Sequence, residues 1–200
     1  MRMFQEWTPL MVNAFIAGVG RALDLLSTWY VSPKLRLETS RVIGRLGWKG
    51  AVVLQLPVVA LASFHVFVAL FVLFFSLFLA AGNVQGAWFV RGIGEENYFR
   101  LMVEAVRKAK WREIVASEAA HLVLHVAPAA ALTWITLSAS SFQFSSWDTY
   151  TLALPILLAL AFYGFLGTFR MLTYLHRLKK AAIVMKKGGG NFKQTPSSFD

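Results

Sequence analysis

The stretch AVVLQLPVVALASFHVFVALFVLFFSLFLAA, Ala51–Ala81, decides the fold. It lies inside a longer run, Gly50–Val90, that contains no Asp, Glu, Lys or Arg. About 20 apolar residues are enough to cross the roughly 30 Å hydrocarbon core of a bilayer. Backbone groups there find no water, so the run must be helical or part of a closed barrel. Barrel strands alternate apolar and polar residues, and VALFVLFFSLFLAA does not. The run is therefore helical, and Ala51–Ala81 as one helix would be about 46 Å long.

Two readings of it follow. In one, a single span begins at Pro57, which suits a first helical turn, and covers 57–81. In the other, the chain turns near ASFH, Ala62–His65, and makes a hairpin with arms of about 15 residues each. The absence of a turn residue in SFHVFVALF favours the single helix. Charge favours the hairpin. Lys and Arg number five in Lys34–Lys49, six in Arg91–Arg112 and six after His176, against one before the first span. The hairpin, with the N-terminus outside, puts 17 of them inside and one outside. Four spans, with both termini inside, put 13 inside and five outside. Cytoplasmic loops normally carry the excess. We read four spans and leave five open, and both readings place the basic loop and the C-terminus in the cytoplasm.

The other spans are plainer. Ala119–Trp147 and Thr149–Phe169 also lack Asp, Glu, Lys and Arg. The expected spans are 9–31, 57–81, 114–138 and 149–174, in one helical domain over 1–187 with a flexible, Gly-rich tail over 188–200. Pro128 kinks the third span without ending it. Phe99, Met102, Val103, Val106 and Ala109 recur at helical spacing, with Arg100, Glu104, Arg107 and Lys108 opposite. This predicts an amphipathic helix over 95–112, lying on the inner membrane surface or capping the bundle.

Composition agrees with a membrane setting. The chain is 57% hydrophobic and 15% charged, with 20 Lys+Arg against 10 Asp+Glu; soluble domains carry about 25% charged residues. An oily, basic chain faces anionic lipid. Its basic residues form no nucleic-acid motif, so no nucleic-acid partner is expected. With no cysteine, disulfides, thiolate nucleophiles and Cys-based metal sites are excluded. Met1–Gly20 carries one Arg and one Glu and runs on into Arg21 and Asp24, so it is expected to be retained rather than cleaved as a signal.

The candidate functional residues are those out of place in lipid. On the first span Asn13, Ala17, Gly20, Asp24 and Thr28 form one stripe, which should face other helices. Arg21 and Asp24 are three apart and can pair; a charge in a span costs about 2.5–3.5 kcal/mol on insertion scales, so it is usually paired and interior. Ser32-Pro33 ends the helix, and the chain returns with Glu38, which could approach Asp24. His65 lies in the second span. His121 and His125 share a face of the third, with Glu118 one turn before them. The plain reading of these histidines is hydrogen bonding in the bundle. The alternatives are haem ligation by His65 with His121 or His125, a metal held by Glu118, His121 and His125, or proton handling. The Glu118-x-x-His121 spacing occurs in di-iron bundles, but those need a second such motif. His176 lies among Arg177, Lys179 and Lys180 as an interfacial headgroup contact. No G-x-S-x-G, H-E-x-x-H or Walker A motif occurs.

One resemblance bears on Ala22–Leu56. LDLLSTWYVSPKLRLETSRVIGRLGW resembles the signature of an uncharacterised family of small bacterial multi-pass membrane proteins. There a first-span Asp-x-x-Ser/Thr-Thr is followed by Glu-x-Asn-Pro and a second span. Asp24, Ser27 and Thr28 match the first part and Glu38 the second, with Ser40 and Arg41 standing where Asn-Pro would be. The resemblance implies a bacterial inner-membrane protein and supplies no activity. The expected function is thus a non-enzymatic all-α membrane bundle that self-associates or binds a membrane partner and anionic lipid. The alternatives are a haem-, metal- or ion-handling protein, and a transporter or channel subunit lined by Asn13, Asp24 and Thr28.

Overall fold

The computed structural model describes residues 2–35, 37, 41–139 and 149–187. These form helices and their connections, with no strand among the described residues. The elements are α1 (Arg2–Val31), α2 (Arg41–Val53), α3 (Gln55–Ser63), α4 (Val66–Gln85), α5 (Ala87–Ile93), α6 (Glu95–Lys108), α7 (Trp111–Ala139) and α8 (Thr149–Lys187). Among the described residues, five helical stretches are long and apolar enough to cross a membrane: 9–31, 45–63, 66–85, 111–138 and 152–180.

The expected single span over 57–81 is divided. α3 stops at Ser63, and His65 turns extended (φ −148°, ψ 128°) before α4 begins. No Gly or Pro makes this break; polar side chains do. The Asn13 side chain donates to the Ser63 carbonyl at 3.1 Å, an acceptor that a helix end would leave orphaned. His65 is the N-cap of α4, its Nδ1 accepting from the Phe67 N–H at 3.1 Å. The hairpin that the charge distribution favoured is the arrangement found. Pro57 falls in the first turn of α3 rather than starting a span, and its missing N–H fits the interruption of the ladder at Leu54.

α1 packs on α4 and α3, α4 on α8, and α8 on α7. Small residues permit the closest approach. A Cβ at Gly20 would lie 2.9 Å from the Leu73 Cα, so α1 and α4 meet almost backbone to backbone. Ala17, Ala62 and Val72 fill the junction of α1, α3 and α4. Between α4 and α8, Phe162 meets Phe71 and Phe75 with ring centroids 5.8 and 5.3 Å apart. Outward faces are apolar, as lipid-facing surfaces must be: Phe15 is 72% exposed and Trp134 74%.

The amphipathic helix forms as α6 and ends earlier than expected, at Lys108. Its apolar face is covered by protein: Phe99, Val103 and Val106 pack on Tyr174 and Leu178 of α8. Its acids lead and its bases follow, matching the helix dipole. Glu104 pairs with Lys108 at 2.8 Å, and that ammonium holds the Glu104 carboxyl below its ordinary range. The expected flexible tail over 188–200 lies outside the described residues.

Candidate functional site

The polar stripe of α1 faces the bundle. Arg21 is its centre. Its guanidinium pairs with Asp24 at 2.9 Å, with both side chains about nine-tenths covered (14% and 13% exposed). It also donates to the Gln55 Oε1 of α3 at 2.6 Å and to the Ser76 Oγ of α4 at 3.2 Å. Gln55 in turn donates to the Ala51 carbonyl, and Ser76 to the Val72 carbonyl. One cation thus ties three helices together, and its planar fork suits several fixed acceptors.

One turn further on, Ser27 and Thr28 both donate to the Asp24 carbonyl, at 2.8 and 2.9 Å. Their oxygens accept from the Asn83 side chain of α4, at 3.0 and 2.9 Å. The Asp-x-x-Ser-Thr pattern is therefore a clip. The hydroxyls return to their own helix and present acceptors to the next one. Asn13, at the other end of the stripe, holds the α3 terminus. Between Asn13 and Arg21 sits Ala17, fully buried with Ala62, so an apolar plug separates the two polar groups.

At the end of α1 another acid, Glu95, comes into play. Glu38 lies outside the described residues. The Glu95 carboxylate accepts from the Ser32 hydroxyl and from the Lys34 N–H, the latter at 3.3 Å, which pins the loop after α1 to the start of α6. Arg91 stacks 4.2 Å over the Tyr30 ring beside this latch, a cation–π contact.

The histidines divide into two places. His65 is exposed at the α3–α4 turn and spends its Nδ1 on capping. His121 and His125 stack on α7 with ring centroids 4.2 Å apart, and the Tyr163 ring of α8 lies across them, 6.4 and 5.7 Å away. The His125 Nδ1 is 2.9 Å from the His121 carbonyl; a carbonyl only accepts, so this nitrogen is the donor. Gly82 and Gly164 admit this cluster, since a Cβ at either would meet the Tyr163 hydroxyl or the His125 Cβ at 2.4 or 2.6 Å.

Among the described residues no three His, Asp or Glu side chains converge as a metal ion would need. Glu118 stays on α7, where the contact at its position is from the Thr168 hydroxyl to the Glu118 backbone carbonyl, at 3.5 Å. Gln55, Ser76, Asn83, Glu95 and Tyr163 were not foreseen. Ser76 and Asn83 carried a signal: they lie seven apart, on one face with Ala69 and Val72.

Comparison with family models, with curated proteins and with solved structures gives no match.

Proposed function

We propose that the chain is a non-enzymatic, five-span protein of the bacterial inner membrane, with its N-terminus outside and its C-terminus in the cytoplasm. It meets anionic lipid at its basic end and a second copy or a membrane partner along its uncovered faces. The observation that carries this is the mutual satisfaction of the polar groups that α1 turns toward α3 and α4. Arg21, Asp24, Gln55 and Ser76 answer one another, as do Asn83, Ser27 and Thr28. Such closure is what a packing role requires. The bacterial setting rests on the resemblance of Ala22–Leu56 described above. The sidedness rests on charge: with a turn at Phe64–His65, 17 Lys and Arg fall at one end and one at the other, as the positive-inside rule demands.

The chain lacks cysteine, so single-cysteine labelling tests this directly. In spheroplasts, Phe64→Cys should react with a membrane-impermeant thiol reagent, and Lys180→Cys only after permeabilisation. A protected Phe64→Cys, with Lys180→Cys still internal, would restore the four-span arrangement.

A further inference from the structure

We infer that the corner where α6 meets α7, seated on α8, binds the phosphate of an anionic lipid headgroup. This rests on the lipid contact proposed above and gives it a place. The corner is fixed by a hydrogen bond and a ring contact. α6 ends as Ala109 turns extended (φ −66°, ψ 144°). Lys179 of α8 donates to the Ala109 carbonyl, one of the acceptors that a helix end leaves open. Two residues on, the Trp111 ring meets the His176 ring of α8 edge-on, with centroids 5.3 Å apart. Together these hold the α6–α7 turn against α8.

Their chain neighbours therefore belong to the same corner. Lys110 and Arg112 flank Trp111, while Arg177 and Lys180 follow His176. Lys110, Arg112, His176 and Lys180 are exposed. The acid of the corner, Glu113, accepts the Lys110 backbone N–H at 3.2 Å and so serves the start of α7. Tryptophan at a span end marks headgroup depth, and Lys and Arg are the residues that bind phosphate oxygens. Val115 follows Trp111 by one turn and is exposed, which gives acyl chains an apolar surface below the headgroup. A free phosphate would have no use for that surface, so the lipid is the source we name.

The test uses the full chain in nanodiscs of phosphatidylcholine, alone or with about a third phosphatidylglycerol, reading thermal unfolding and bound lipid by native mass spectrometry. Phosphatidylglycerol should raise the wild-type Tm and remain bound. The variant Lys110→Gln/Arg112→Gln/Lys180→Gln should bind it about a hundred-fold more weakly, with its Tm in phosphatidylcholine unchanged. Arg45→Gln/Lys49→Gln, at a different basic stretch, should keep most of the wild-type response. If the triple variant responds like wild type and the double variant does not, this site is overturned while the lipid-contact reading stands. If wild type itself ignores phosphatidylglycerol, both fail. If inorganic phosphate in phosphatidylcholine nanodiscs reproduces the shift, the lipid assignment is overturned in favour of a free anion.

Discussion

Arg21 has partners on three helices, so removing it and removing its counter-charge are different experiments. Asp24→Asn leaves a covered guanidinium without its anion and should cost about 3 kcal/mol in bicelle unfolding measurements. Arg21→Met with Asp24→Leu removes both charges and should recover most of that loss. A double variant no better than Asp24→Asn would mean that the pair is worth more than its mutual neutralisation. At the α3–α4 turn, His65→Ala removes a cap and should cost about 1 kcal/mol, with the visible absorption spectrum unchanged. The Arg21/Asp24 pair was legible in the sequence because two charges in an apolar span are tolerated only when paired and turned inward. Tyr163 was not, because an aromatic residue in an apolar run looks the same whether it faces lipid or a neighbouring helix.

For the elements, periodicity revealed the helices but not where the long apolar run breaks. Turn residues signal a break that is local in origin. This one is satisfied partly from a distance, by Asn13, 50 residues away from Ser63, so no window around ASFH contains its cause. Charge distribution saw it because the membrane sums over the whole chain. Helix contacts give two further expectations. Gly20→Ala places a methyl 2.9 Å from the Leu73 Cα, and the forced separation of α1 and α4 should cost about 1–3 kcal/mol, read as a lowered Tm. Val103→Asp sets a carboxylate into the apolar seam of α6 and α8. Hydrogen exchange should then accelerate across 95–108 while the spans keep their protection. Acceleration throughout the bundle would show that α6 is part of the core rather than a unit docked on it. The amphipathic pattern of α6 was clear from sequence, but a pattern names the apolar face and not its occupant, which here is α8.

Across the whole molecule, the bundle is a row more than a ring, with α4 between α1 and α8 and with α7 outermost on α8. That leaves α7 largely uncovered, and Leu124 is 70% exposed there. α8 runs unbroken for 39 residues, about 58 Å, nearly twice the roughly 30 Å hydrocarbon thickness. Its membrane part packs on α4 and α7, and the turn just beyond, at Tyr174 and Leu178, carries α6. It therefore behaves as a rigid pointer. Spans answer a change in bilayer thickness by changing their tilt. α6 is carried at Tyr174 and Leu178, about 10 Å beyond a core of roughly 30 Å, so a 10° change in the tilt of α8 would sweep it sideways by about 2 Å. The position of α6 above the membrane is thus geometrically geared to the thickness of the bilayer below it.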